Sequence, residues 1–329
     1  MSVHGFMISL QVRFPTLNKR LLRNTSTYLD AIQVENPLLH LILTQNVQVD
    51  DMPSPKIVVV TGANRGIGQA ICKLILSRPD VTPLKLFAAS RKGEDIGFSS
   101  ADPQREVLYP KLDVSRRESI TALAVEVKRE GLVDVLINNA GVNLDAKYGY
   151  ENARTTLDVN YRGVREMCHA FLPIMAKNGR IVNMSSVGSS LKPYSEAMRQ
   201  RFRNPNASQE DLDQLAQEFL ESAETSTENE SGFGPPQRSY SISKALVNAL
   251  TALLARENPG LAVNCCCPGW IATDMGRLVG SGNLSPPKTP EQGAAIPVRL
   301  GFGEIGGQSG KYWANANVRS KGEGEVQEW

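Results

Sequence analysis

The chain has 329 residues, 41% of them apolar, enough to bury a sizeable core in one large domain or two modest ones. Thirty-six Lys and Arg against 34 Asp and Glu leave a formal charge of +2, which gives no charged field for nucleic acid, and no apolar run reaches the length of a spanning helix. Five cysteines, three of them consecutive at Cys265, Cys266 and Cys267, suit a reducing compartment, and the scattered His4, His40 and His169 offer no metal-ligand spacing.

Residues 1–29 carry Arg13, Lys19, Arg20 and Arg23, many Ser and Thr, and no Asp or Glu. That is the make-up of a mitochondrial targeting segment and equally of a disordered tail. Met52-Pro53-Ser54-Pro55-Lys56 runs straight into the first strand and offers an alternative start. The expected division is an extension over 1–51 and a single domain over 52–329. The expected location is the cytoplasm, or the mitochondrion if residues 1–51 act as an address.

From Lys56 onward, apolar β-branched runs alternate with helical patterns. Ile57–Val60 predicts a buried strand and Gly68–Leu76 the helix behind it. Leu84–Ala89 is a second strand and Val107–Leu112 a weaker third. Ser115, with Glu118 three positions on, predicts a capping box that opens a helix carrying Ile120, Leu123 and Val127. Val133–Ile137 is the next strand and ends at Asn138-Asn139-Ala140-Gly141. A helix from about Thr155 and a strand over Arg180–Met184 follow. Ser208-Gln209-Glu210-Asp211 caps a further helix with the stripe Leu212, Leu215, Phe219 and Leu220, and Glu221–Gly234 reads as a polar, mobile tail. Tyr240–Arg256 is helical, and Leu261–Cys265 and Lys311–Ala314 are strands. Unbroken apolar strands separated by helices require a sheet covered on both faces, with functional groups beyond the carboxyl ends of its strands.

The turn after the first strand suits a diphosphate. Gly62 permits the bend, Gly66 and Gly68 permit close approach, and the backbone of Asn64, Arg65, Gly66 and Ile67 opens the helix toward the phosphates. Taken alone, it reads equally as a glycine-rich loop with no ligand. The second strand ends Ala88-Ala89-Ser90-Arg91-Lys92, where NAD would call for a carboxylate. Arg91 and Lys92, with Arg65 in reach, favour a 2′-phosphate and hence NADP(H), unless Arg91 is a solvated surface charge. Asp113 faces the adenine edge. Asn139 and Gly141 close the ribose side, although Asn139 serves equally to tie strands together. Pro268 and Gly269 shape the turn along the nicotinamide, and Thr273 bonds its carboxamide or the diphosphate.

Tyr240 and Lys244 are four apart and share a helix face. The ammonium is expected to lower the phenol's pKa, so that Tyr240 passes a proton to a carbonyl oxygen. Ser186 ends the preceding strand and holds the same oxygen, and Asn160 supports a water behind Lys244. Cys267 and Trp270 are pocket candidates; Cys267 fits buried packing as well. Lys192, Pro193, Tyr194 and Phe233 are candidates for the substrate mouth.

With Thr61–Gly68, Asn138–Gly141, Asn160, Ser186, Tyr240–Lys244 and Pro268-Gly269 in place, the chain resembles the classical short-chain dehydrogenase/reductase family. Gly179–Ser186, Asn264–Met275 and the ending Val326–Trp329 liken it to the monomeric NADPH-dependent carbonyl reductases of that family. The resemblance implies a Rossmann-type doubly wound α/β sheet of about seven parallel strands. It implies the catalytic set Asn160, Ser186, Tyr240 and Lys244. It also implies reduction of small aldehydes, ketones or quinones by NADPH through the pro-S hydride, without nucleic acid or membrane. The 53 residues between Ser186 and Tyr240 hold a helical insertion at about 190–236. In the carbonyl reductases such an insertion covers the surface that related enzymes use to pair, which implies a monomer. The rivals are a family member that oxidises alcohols or steroids and a non-catalytic dinucleotide-binding regulator.

Overall fold

A computed structural model describes residues 54–98, 100, 102–279 and 284–329. The targeting, tail and start readings of residues 1–51 lie outside the described residues. One unit spans Ser54–Trp329. Strand β1 (Lys56–Thr61) leads into α1 (Gly66–Leu76), then β2 (Leu84–Ala89), β3 (Arg105–Leu108), α2 (Arg117–Glu130) and β4 (Val133–Asn138). Helix α3 (Tyr150–Leu157) passes through a π turn at Asp158–Arg162 into α4 (Gly163–Phe171), which precedes β5 (Met175–Met184). The insertion carries α5 (Glu196–Phe202) and α6 (Gln209–Thr225). Then come α7 (Ser239–Glu257), β6 (Ala262–Cys266), α8 (Asp274–Arg277), α9 (Pro290–Phe302), β7 (Tyr312–Ala314) and β8 (Glu325–Gln327).

The sheet order is β3-β2-β1-β4-β5-β6-β7-β8. The first seven strands are parallel, as expected, and β8 pairs antiparallel with β7. The unbroken apolar run of β1 follows from burial on both faces. Ile57 and Val59 join one core layer with Leu123 of α2, Phe171 of α4 and Leu250 of α7. Val58 and Val60 join the other with Ile71 of α1 and Ile296 of α9. Each fully buried aliphatic side chain contributes roughly 1.5–3 kcal/mol.

Three local expectations are corrected. The third strand stops at Leu108, and beyond it only Lys111 bridges to Ser90; Pro110 has no N–H with which to continue the ladder. The Ser115 capping box does not form. Asp113 accepts from the Ser115 N–H at 3.0 Å and from its hydroxyl at 2.6 Å, and the helix begins at Arg117 without a side-chain cap. A carboxylate two residues upstream competes for the serine locally. Lastly, Glu221–Gly234 is not a polar tail. Phe233 is 1% exposed and meets Phe219 edge-on with ring centres 5.5 Å apart. The Tyr148 hydroxyl donates to buried Glu228 at 2.5 Å.

The capping box at Ser208 and Asp211 does form, with bonds of 3.2 and 2.8 Å. Its helix, α6, lies against α3 and α7 and buries Leu212, Leu215, Phe219 and Leu220 there.

Candidate active site

The carboxyl ends of β1, β4, β5 and β6 converge on one region, and α7 crosses it. At the end of β1, Gly62 has φ +66°, and a Cβ there would stand 3.0 Å from the Ala140 Cα. A Cβ on Gly68 would meet the Gly62 carbonyl oxygen at 2.2 Å. The bend and the first turn of α1 therefore require glycine, and they leave backbone N–H groups open at the helix N-terminus. Asn139 ties the strands: its Nδ2 donates to the Thr61 carbonyl at 2.9 Å and the Gly62 carbonyl at 3.2 Å. Thr61 Oγ1 accepts from the N–H groups of Asn139 and Ala140, both at 3.0 Å.

Arg91 is exposed beside Asp113; against the upward push of burial, the Ser115 hydrogen bonds, helped by the Arg91 charge, hold the Asp113 carboxyl below its ordinary value. Arg65, expected to help with a 2′-phosphate, instead pairs with Asp274 at 2.6 Å. Asn64 is exposed in the turn, and Ile67 packs on the α1 side of the core. Thr273 caps α8, accepting from the Gly276 N–H at 3.1 Å. It also faces the turn, since a Cβ on Gly66 would lie 3.2 Å from its Cγ2.

At the other end, α7 carries Tyr240 and Lys244. Lys244 is buried and donates to the Met184 carbonyl at 2.7 Å. Its Nζ stands 5.6 Å from the centre of the Tyr240 ring. Ser186 caps the short turn Val187–Ser189, accepting from the Gly188 N–H at 3.1 Å. A Cβ on Gly188 would lie 3.4 Å from Ser186 Oγ and 3.8 Å from the Tyr240 ring, which places the two side chains around one glycine. Asn160 sits in the π turn and is fully buried. It grips Val142 with both side-chain atoms at 2.8 Å and donates to Ser243 Oγ at 3.0 Å. Such turns inside helices often mark functional positions. A Cβ on Gly141 would stand 3.2 Å from Asn160 Oδ1 and 3.7 Å from Lys244 Nζ, so the four expected catalytic residues lie around one small region.

Burial dominates the electrostatics. It pushes the Tyr240 phenol up to about 12, with the Ser186 side chain acting the other way. It also pushes Lys244 down to about 8. The expected net lowering of the phenol is therefore reversed: the cost of burying a phenolate outweighs what its neighbours return. Near neutrality the phenol keeps its proton and the amine its charge.

A cavity of about 560 Å³ adjoins the Ser186 turn, within the size range of small-molecule pockets. Val187, Leu191, Cys267, Tyr312 and Trp329 line it, and so does Lys192. Cys267 is both buried and cavity-facing. Trp270 is not on the cavity wall: its indole N–H donates to the Gly276 carbonyl at 2.7 Å, and Arg319 lies 5.2 Å over its ring. Tyr194 and Phe233 turn into the core and do not line the mouth. Pro268 is held by buried Lys288, which donates to its carbonyl at 2.8 Å, and Gly269 has φ +97°.

Two sets of supporting residues were not foreseen. Asn248 accepts from Ser185 Oγ at 2.5 Å and donates to Ser189 Oγ at 2.9 Å. Ser189 Oγ in turn donates to the Ser186 carbonyl at 2.6 Å. The spacing Tyr240, Lys244, Asn248 repeats by four on one helix face and carried that signal. Asp145 is the second, reaching α7 from the loop after β4; nothing local in the sequence pairs it with that helix.

The sequence model of the family described as short chain dehydrogenase matches residues 56–198. Carbonyl reductase [NADPH] 1 of Bos taurus is 33% identical over 256 residues, covering 74% of this chain and 90% of that protein. (+)-Neomenthol dehydrogenase of Arabidopsis thaliana is 32% identical over 282 residues, covering 75% and 91%. Among solved structures, salutaridine reductase from Papaver somniferum superposes with a TM-score of 0.65 at 27% identity, covering 78% of this chain and 99% of that one. The chain belongs to the short-chain dehydrogenase family. It is an oxidoreductase of that family, with carbonyl reductases among its relatives.

Proposed function

We propose that the protein reduces aldehydes, ketones or quinones with NADPH, with Tyr240 as the proton donor. The carrying observation is a buried phenol that keeps its proton, grouped with Ser186, Lys244 and Asn160 beside a glycine-built cradle. The cradle fits a dinucleotide: side chains at Gly62 and Gly68 would collide with Ala140 and the Gly62 carbonyl, so only glycine lets the turn close and leave the N-terminus of α1 open to a diphosphate, and exposed Arg91, which forms no salt bridge among the described residues, can meet a 2′-phosphate. Relatives named for NADPH-dependent carbonyl reduction support the same choice. When bound, the reduced nicotinamide supplies the hydride.

The chain supplies the rest. Ser186 holds the carbonyl oxygen, and its hydroxyl stabilises negative charge as that charge develops. Tyr240 gives the same oxygen its proton, completing an alcohol or hydroquinone. Lys244 places an ammonium beside the phenolate left behind, so its charge is felt as the proton departs. Asn160 keeps the loop at Val142 in place and supports a water that returns a proton through Lys244. Pro268, Gly269 and Thr273 face the nicotinamide end, and Asp113, Asn139 and Gly141 the adenosine and ribose. The NADPH preference favours the reductive direction over alcohol or steroid oxidation, since a cell keeps that cofactor pool reduced. Because α6 covers the faces of α3 and α7, we read the protein as a monomer. No helix among the described residues is long and apolar enough to cross a membrane, and the cytoplasm remains our preferred location.

An NADPH-oxidation assay with quinones, α-dicarbonyls, aromatic ketones and steroids tests the reading. Turnover of at least one class by the intact chain, abolished in Tyr240→Phe, is the expected result. Unchanged turnover in that variant overturns the mechanism.

A further inference from the structure

Helix α7 begins without a side-chain cap of its own. Arg238 occupies the cap position and makes no capping bond, and the first turn carries no acidic residue. A 19-residue helix that bears the phenol and the amine therefore presents uncompensated N–H groups at the end nearest the chemistry. Asp145 supplies what is missing. It lies in a short turn, Asp145–Lys147, on the loop between β4 and α3, far from α7 in sequence. Its carboxylate accepts the Ser239 hydroxyl, and it accepts the Tyr240 N–H at 3.2 Å through one oxygen and 3.3 Å through the other. Ser239 is itself buried, so water does not replace that bond freely.

The loop that carries Asp145 is held a second time. Asn160 binds Val142, three residues earlier, through both the N–H and the carbonyl at 2.8 Å. The same Asn160 reaches α7 again through Ser243, whose hydroxyl donates to the Tyr240 carbonyl at 2.7 Å. The Tyr240 main chain is thus fixed on both sides: its N–H by Asp145 and its carbonyl through Ser243.

We propose that Asp145 is a positioning residue for Tyr240, anchoring the first turn of the catalytic helix to the loop that follows the Asn138–Gly141 segment. The role rests on the reading of Tyr240 as proton donor. Asp145 takes no part in the proton transfer; it sets where the phenol stands.

The test compares Asp145→Ala with Asp145→Asn in the full chain, using NADPH and 2-methyl-1,4-naphthoquinone, or whichever panel carbonyl the intact chain reduces. The alanine variant loses all three acceptor bonds. It should lower kcat at least tenfold while leaving the KM for NADPH within about twofold, since the glycine cradle is untouched. The asparagine variant keeps an acceptor oxygen and should restore kcat to within about threefold of the parent. Hydrogen–deuterium exchange read over residues 238–243 is independent of turnover. Exchange there should speed up in the alanine variant and stay near the parent rate in the asparagine variant. Unaltered exchange in Asp145→Ala overturns the proposal, as does a loss that appears in the NADPH KM with kcat preserved. If Asp145→Ala does not fold, Asp145→Asn decides: a tenfold fall in kcat in a variant of unchanged melting temperature and exchange counts against anchoring. A chain that reduces nothing while the exchange result holds would remove the reductase reading and leave the anchor standing.

Discussion

The Lys244 ammonium stands 5.6 Å from the centre of the Tyr240 ring and makes its 2.7 Å hydrogen bond with the Met184 carbonyl. The lysine is thereby fixed at the end of β5, next to the strand terminus that presents Ser186. Its position is set by the sheet, while the tyrosine is set by the start of α7. Both groups ride on α7, so catalysis depends on that helix, tethered to the end of β5 through Lys244 and to the loop after β4 at its start, holding their separation.

Lys244 should control the alkaline side of the pH profile. Burial brings its amine down to about 8, so the cation is present below that value and lost above it. Because only the cation stabilises a departing phenolate, kcat should hold steady below about pH 8 and fall about tenfold per unit above it. The phenol, pushed up to about 12, stays protonated throughout. Lys244→Met should cut kcat by about a hundredfold or more. A profile of kcat against pH under saturating NADPH checks both points; a limb that persists in the methionine variant would assign it elsewhere.

The hydroxyl beneath Ser186 should matter almost as much as Ser186 itself. Asn248 joins Ser185 to Ser189, and Ser189 bonds the Ser186 carbonyl. Asn248→Leu removes one hydrogen bond from each of two buried hydroxyls, which keep the Ser186 and Lys244 carbonyls as acceptors, at a cost of about 0.5–1.5 kcal/mol each. Lower kcat with the KM for NADPH unchanged, together with a reduced melting temperature, is expected from steady-state kinetics and thermal denaturation. Equal loss in the NADPH KM would place the damage at the cofactor end instead.

Much of this was legible in the sequence because the signals are local. Ile57–Val60 is apolar at every position because both faces are buried, and Tyr240 with Lys244 shares one face of a helix. What escaped notice has no local signal. Strand β8 is exposed at all three positions and is recruited only by pairing with Tyr312–Ala314. Asp145 meets Ser239 across 94 positions, and spacing along the chain says nothing of that. Trp270 looked like a pocket wall because aromatic residues often are, yet Gly276 and Arg319 claim its two polarised features. The direction of the Tyr240 shift depended on burial, which spacing does not report.

Arg91 should decide cofactor preference, with Arg65 secondary. Arg65 is engaged by Asp274 at 2.6 Å, whereas no carboxylate pairs with Arg91 by a salt bridge among the described residues. A charge-assisted bond to phosphate is worth about 1.5–3 kcal/mol, so Arg91→Asp should weaken NADPH use by about tenfold or more and improve use of NADH. Arg65→Ala should change the preference by much less. The ratio of kcat/KM for the two cofactors measures this directly. An intact chain that uses NADH as efficiently as NADPH would sink the assignment.

Phe233 provides the stability counterpart. It is 1% exposed, packs edge-on against Phe219, and closes the segment that follows α6 onto the body of the protein. Phe233→Ala removes a buried ring beside Phe219 of α6, at a position whose main-chain N–H is held by the Glu228 carbonyl at 2.8 Å. The expected cost is about 3–5 kcal/mol in urea denaturation. A mobile, polar segment would make the same substitution neutral, so a change below about 0.5 kcal/mol would restore that view. Light scattering on the parent chain belongs with this measurement. With α6 anchored through Leu212, Leu215 and Phe219 against α3 and α7, a single-chain mass near 35.9 kDa is expected, and a tetramer would mean that the insertion leaves another face free to pair.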